Sequence, residues 1–531
     1  MKPVFALFLA AWFGIAFAHD EDRPGAAARA QLGKVHFANS CSREVARDFD
    51  TAVALLHSFW AKDAIEGFNY VLKRDPGCAI AYWGIAMALQ QNPLTGQEPN
   101  ADARRAALEG LEKARAIGAK TQRERDYLGA IELIYKDADK VAFRDRRLAY
   151  EKAMQALAAQ YPDDTEARIF YALALDMTAD LADKTYANQL KAAEILEPLF
   201  RQQPEHPGVA HYLIHSYDYP SIAARGLDAA RRYAEIAPAH PHALHMPSHI
   251  FTRLGSWEDS VATNARSAAA AAAEKNGQEQ AHAMDYQVYA YLQMGKDGEA
   301  KRVVDEGRKI TTFNPAIFIG PYGIAAMPAR YALERQAWAE AAALEPSESR
   351  FAHTLALTHF ARGLGAARSG DGAAGQKEAA RLSELRDMLK QQNISYWANQ
   401  VEVQRLAVAA WSALAQNNAK DALALMRASA DLEDSMEKHI VTPAPLVPAR
   451  ELLAEMLLEL KQPAEALAAF EAAAVREPNR FRNLLGSGRA AALAGDRAKA
   501  AAYYEKLIKL AGNAESTRPE LQQAKDYLAR L

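Results

Sequence analysis

The sequence has little cysteine, little charge bias and almost no strand-like alternation, and each scarcity removes a class of protein. Only Cys41 and Cys78 occur in 531 residues, enough for one bridge but not for a disulfide-built scaffold. A net charge of −3 with both signs interspersed leaves no broad basic field for nucleic acid, and no lysine and arginine cluster is interleaved with aromatics. Beyond the first residues, no stretch is apolar for the ~20 residues a bilayer span needs. HExxH, a P-loop, G-x-S-x-G and a Rossmann glycine fingerprint are all missing, so the familiar catalytic routes have no support.

What is present suits a packed protein: half the residues are hydrophobic and 24% are charged. The length exceeds what one growing core supports, which calls for several domains or a repeat array. Lys2 precedes an apolar run from Val4 to Ile15, followed by the small-x-small triplet Ala16, Phe17, Ala18. That order predicts a signal peptide over residues 1–18, cleaved after Ala18, and an exported protein, periplasmic or secreted. An N-terminal anchor is the alternative, but the run is short for a span. Cleavage would expose His19, whose amine and ring could chelate copper; with Asp20, Glu21 and Asp22 behind it, a solvated tail is the plainer reading. An oxidising compartment would let Cys41 and Cys78 pair, a loop closure for which chain entropy allows ~3–4 kcal/mol. Two buried free thiols are the other reading.

One spacing recurs along the chain: a small residue, an apolar or aromatic residue four later, and a proline twelve after the first. It appears at Ala64, Phe68, Pro76; at Ala192, Leu196, Pro204; and at Ala466, Phe470, Pro478, with Ala500 and Tyr504 starting a copy that lacks the proline. The small residue lets two helices approach, the aromatic fills the gap between neighbouring pairs, and the proline stops the second helix. In AKDAIEGFNYVLKRDPG, QPAEALAAFEAAAVREPN and AGDRAKAAAYYEKLIKL the sequence resembles tetratricopeptide repeats. The expectation is an all-α protein, an α-solenoid of antiparallel helix pairs. The resemblance is strong at both ends and looser in the middle, where Ser216 to Gly226 stretches the period. The run Ser267 to Ala273 reads as helix because alanine is the best helix former.

Proline and glycine clusters suggest soft boundaries at Asn92 to Asn100, Phe313 to Pro328, and Thr442 to Pro448, the last reading as a linker. The expected organisation after the leader is N-terminal repeats over 19–135, irregular central repeats over 136–345, helical repeats over 346–441 and C-terminal repeats over 442–531.

Histidine is scarce, 14 in all, yet the middle third concentrates it. His211 and His215 lie in HYLIH; His240, His242, His245 and His249 in HPHALHMPSH; His282 and Asp285 in HAMD. Four-residue spacing puts two imidazoles on one helical face, a ligand pair suited to zinc, copper, iron or nickel. With Ser260 and Ala300 as the small residues of successive second helices, His242 and His282 both lie 18 residues earlier, and His245 and Asp285 both 15 earlier. The resemblance implies that this face lines a concave groove where partner peptides bind. A metal set of His211, His215, His245, His249, His282 and Asp285 is therefore a candidate, with His242, His57, Tyr289 and Asp218 as groove residues that contact a ligand. Against this stand plainer roles: helical histidines are usually solvated or hydrogen-bonded, His57 and Trp60 suit a core, Tyr219, Tyr286 and Tyr289 suit packing between helices, and His240 before Pro241 suits a turn. Arg330 and His359 could face the groove further along. Pro247 should make the backbone around His245 and His249 irregular.

Two functions follow. A solenoid scaffold would bind a protein, peptide or other ligand in the His-rich groove, with no nucleic-acid partner and no membrane span after signal cleavage. Alternatively, the groove histidines bind a transition metal, zinc, copper or iron, in a metalloprotein or metalloenzyme.

Overall fold

The computed structural model describes residues 32–314, 317–346, 348–512 and 518–531; the expected signal peptide and His19 lie outside them. Among the described residues every regular element is helical, and successive helices pack as antiparallel pairs into an α-solenoid. No described helix is long and apolar enough to cross a membrane.

The repeat spacing works as steric logic. Helix Ala61–Arg74 ends two residues before Pro76, helix Ala187–Gln202 two before Pro204, and helix Pro463–Arg476 two before Pro478. A proline disfavours helical conformation in the residue before it, so each second helix stops there. Ala64, Ala192, Ala466 and Ala500 are fully buried, as close helix approach requires. The aromatic four residues on then fills a glycine gap in the following helix: a Cβ added to Gly84 would lie 2.2 Å from the Phe68 ring, and one added to Gly486 2.2 Å from the Phe470 ring. This is tetratricopeptide packing. Cys41 and Cys78 are joined by a disulfide, with Cα atoms 4.8 Å apart, tying the entry of the first helix pair to the start of the next pair.

The proline and glycine clusters behave differently from their sequence reading. Helix Ile319–Glu334 runs through Pro328 without stopping. One apolar core extends from Leu32 to Phe251 and another from Phe318 to Ala524, so residues 135 and 442 fall inside cores rather than between them. Thr442 to Pro448 is not an exposed linker. It belongs to a largely buried non-helical strap, Met436 to Pro448, that binds distant parts of the chain. The Glu437 backbone N–H donates to the Leu181 carbonyl at 3.0 Å, and the Glu437 carboxylate takes Lys184 Nζ at 2.7 Å. Arg330 donates to the carbonyls of Ala444 and Pro445 at 2.8 and 2.9 Å. Proline suits such a strap because it lacks an N–H that would need a buried acceptor. Reaching Asp218 and Tyr286, the strap lies against the face of the first helices, where the resemblance places a peptide groove.

Candidate metal centre

Three consecutive first helices carry the histidines, and proline opens two of them. Pro207 starts helix Pro207–Tyr217, with His211 and His215 one turn apart. Pro241 and Pro247 split the next helix into Pro241–His245 and Pro247–Leu254, which carry His242, His245 and His249. Helix Gly277–Gln293 supplies His282. A proline at a first turn costs little, and Met246 between the two segments keeps helical backbone angles, its N–H donating to the His242 carbonyl at 2.9 Å.

These helices bring six imidazoles into two adjacent sets of three. His211, His215 and His242 each place a ring nitrogen within 4.8 Å of the other two, and His245, His249 and His282 do the same. The sets adjoin: the His215 and His249 ring centres are 5.7 Å apart, and those of His242 and His245 6.2 Å. All six rings are buried, yet His215, His242, His249 and His282 also line a cavity of about 910 Å³. Phe59, Trp60, Gln90 and Arg350 also line it, and the Phe59 ring packs 4.5 Å from that of His211. Each set thus has one side closed by protein and one side facing a space a small molecule could enter.

Hydrogen bonds fix where the imidazole protons sit. His245 Nδ1 lies 2.6 Å from Asn264 Oδ1, and Asn264 Nδ2 donates to the Ser260 carbonyl at 2.7 Å. That second bond orients the amide, so Oδ1 is an acceptor and His245 Nδ1 must carry the hydrogen. His249 Nδ1 donates to Asp218 Oδ2 at 2.9 Å. Burial pushes the Asp218 carboxyl up, but Lys438 at 3.0 Å and Arg253 at 2.9 Å overcome this and hold it well below the ordinary range, so Asp218 is ionised and His249 supplies the N–H. Both Nε2 atoms of neutral His245 and His249 therefore carry lone pairs, and they face one another at 3.0 Å. In the other set, His211 Nδ1 donates to the His57 carbonyl at 2.7 Å, and its Nε2 lone pair faces His215 Nε2 at 3.1 Å. His215 Nδ1 and His242 Nε2 have no hydrogen-bond partner among the described residues. Burial pushes His211, His215 and His245 well below the ordinary histidine range and His282 to about 3, with neighbouring imidazoles adding to the effect. Neutral imidazole is the form that ligates metal.

Several residues occupy places the sequence reading did not give them. His242, expected to touch a ligand, completes the first trihistidine set. Asp285 is no ligand: its carboxylate is held by Arg330 at 2.8 Å, both fully buried, because the guanidinium needs a counter-charge there. Asp218 does not face the cavity but orients His249, as a carboxylate behind a metal-bound histidine does. Tyr289 points away, its hydroxyl accepting from Arg480 at 2.9 Å. His57 is fully buried and ties Glu166 to the site: Glu166 accepts from His57 Nε2 and His206 Nε2, each at 2.9 Å, while the His57 carbonyl holds His211. His240 stacks on Trp60 with ring centres 4.3 Å apart.

Glu166, His206, Asn264, Glu279 and Lys438 escaped the sequence reading. Glu279 sits one turn before His282, and its carboxylate lies 3.6 Å from His242 Nδ1. Burial raises the Glu279 carboxyl, but His242 and its neighbours bring it down to about 2. Its i, i+3 spacing from His282 was a readable signal. Glu166 and Lys438 lie too far away in sequence to have given one.

No protein family and no curated protein matches the sequence. Solved helical-repeat structures align over most of its length with low identity. A structure of Naa15/Naa10 bound to HypK-THB has 10% identity, covers 91% of each chain and has a TM-score of 0.26. A human IFIT1 dimer with m7Gppp-AAAA has 11% identity over 82% of this chain and 90% of the other, with a TM-score of 0.37. The APC/C hetero-tetramer Cut9-Hcn1 has 13% identity over 91% and 96%, with a TM-score of 0.32.

Proposed function

We propose that this solenoid is a metalloprotein that holds two transition-metal ions side by side, one in each trihistidine set, with an open position on each ion turned toward the cavity. The observation that carries the reading is the His245–His249 pair. Two ring nitrogens, each left with a lone pair by the hydrogen bonds behind it, face one another at 3.0 Å in a buried site. Two lone pairs at that distance repel unless a cation lies between or beside them. A bound proton would be shared by these two nitrogens alone, whereas a metal ion gains a third donor from His282. Three protein ligands and one open position is the arrangement of catalytic rather than structural metal sites. Asp218, Asn264 and the His57 carbonyl supply the outer contacts that fix ring orientation.

The peptide-groove scaffold is the weaker reading, because the Met436 to Pro448 strap covers much of that face. We place the protein outside the cytoplasm. The supports are the leader-like residues 1–18 and the bonded Cys41 and Cys78, which need an oxidising compartment to persist.

The test is elemental analysis of the purified full chain after equilibration with zinc or copper salts. Two ions per chain are expected, falling to one in a His245→Ala, His249→Ala double variant whose circular dichroism is unchanged. A metal content near zero in the wild type, or two ions retained by the folded variant, would overturn the proposal.

A further inference from the structure

Resting on the two-ion reading, the geometry points to a dinuclear copper centre, cuprous at rest, that takes dioxygen as its substrate and reduces it by two electrons, one from each ion. Three features of the page converge on this.

The first is the donor set. Both groups consist of imidazole alone. Carboxylates suit magnesium, manganese and calcium, and a facial iron site takes one carboxylate with two histidines, whereas imidazole suits copper and zinc, with copper the tighter of the divalent series. Three carboxylates are close at hand, but none belongs to either set. Asp285 is taken by Arg330, Asp218 stands behind His249, and Glu279 stands beside His242. Of the three, Glu279 alone lines the cavity, and it lies against His242 rather than within either set.

The second is charge. The two carboxylates that touch the imidazoles, Asp218 and Glu279, are offset by Arg253 and Lys438, both of which pair with Asp218. Six neutral ligands bring no negative charge. Two divalent ions would place four positive charges in this buried volume, and two cuprous ions place two. Burying uncompensated charge is costly, so the lower oxidation state is the resting one. Three-nitrogen ligation, with no fourth protein ligand, also suits a closed-shell monovalent ion.

The third is pairing. His242 and His245 lie three residues apart on one short helix, and they belong to different sets. With the His215 and His249 rings 5.7 Å apart and members of both sets lining one cavity, the open positions of both ions face that cavity. A single cuprous ion supplies one electron, and two neighbours supply the pair that avoids a one-electron product. The balanced step is one dioxygen, two protons and two cuprous ions giving one hydrogen peroxide and two cupric ions. An external two-electron reductant, ascorbate in the assay, returns both ions to the cuprous state. The cavity of about 910 Å³ leaves room for an organic reductant beside the pair.

The experiment loads the full chain anaerobically with zero, one or two equivalents of cuprous ion, or two of zinc, then admits air-saturated buffer and records bound metal, oxygen uptake and hydrogen peroxide. The expected result is two coppers bound, one dioxygen consumed per two coppers, and catalytic uptake with ascorbate that rises more than proportionally from one equivalent to two. Zinc-loaded protein should take up none. Stoichiometric zinc or copper without oxygen uptake, or uptake strictly proportional to copper from the first equivalent, would overturn the dinuclear redox inference and leave the two-ion reading standing. Failure to bind either metal would overturn both. Because the comparison uses wild-type protein, a variant that fails to fold cannot obscure it.

Discussion

Replacing Asp218 by Asn perturbs one group on which the second trihistidine set, the strap and helix Pro247–Leu254 all depend. The carboxylate accepts from His249 Nδ1 at 2.9 Å, from Arg253 Nε at 2.9 Å and from Lys438 Nζ at 3.0 Å, and all four side chains are buried. An amide of the same shape offers one acceptor where three donors converge, and its NH₂ faces a donor. Two buried cations lose their counter-charge, and removing one partner from a buried ion pair costs about 3–5 kcal/mol. Lys438, already lowered to about 8 by burial against the pull of Asp218, should fall further and shed its proton near neutral pH, which recovers part of that cost. The net loss expected in urea unfolding at pH 7 is about 3 kcal/mol. His249 also loses the acceptor that orients its ring, so affinity at the second set should drop about 10–100-fold while the first set keeps its ion. Stability within about 0.5 kcal/mol of wild type, with both ions bound at unchanged affinity, would refute the assignment of Asp218.

Other outcomes can be checked alongside it. Gly84→Ala should destabilise by about 1–3 kcal/mol, since the added Cβ meets the Phe68 ring at 2.2 Å, while Gly129→Ala, in an open position within helix Gln122–Tyr135, should stabilise by about 0.5–1 kcal/mol; thermal melts of the pair test the repeat packing. The 37-residue separation of Cys41 and Cys78 gives about 4 kcal/mol of chain-entropy stabilisation, so Cys41→Ser with Cys78→Ser should lower the urea midpoint accordingly. Burial depresses His353 to about 3 and His439 to about 4, away from the trihistidine sets. Both folded values lie below the ordinary 6.5, so the unfolded chain takes up protons first. Their stabilisation is full above about pH 6.5 and is lost as pH falls, about 2 kcal/mol each at pH 5, readable as a drop in unfolding free energy that His353→Gln reduces.

The fold was legible because its signals are local and repeated. Ala64, Phe68 and Pro76 act within a few turns of one another, and their recurrence at Ala466, Phe470 and Pro478 states the same packing twice. The histidine face was legible for the same reason: His211 with His215, and His245 with His249, are one turn apart on their own segments. Division into two sets was not. It depends on how three helices pack together: His242 joins His211 and His215 of the helix before it, and His245 and His249 join His282 of the helix after it. The registration that paired His245 with Asp285 was sound in sequence, but Arg330, 45 residues on, takes the carboxylate. Thr442 to Pro448 read as a linker because proline and small residues mark exposed turns; here they make a buried strap whose acceptors are met by Arg330.

The central claim, two ions in two histidine-only sets, is met most directly by anomalous diffraction from crystals soaked in copper or zinc. The account predicts two strong peaks, each within about 2.0–2.1 Å of three imidazole nitrogens, one among His211, His215 and His242 and one among His245, His249 and His282. Peaks confined to surface residues, or none, with the Nε2 atoms of His245 and His249 still 3.0 Å apart, would contradict it.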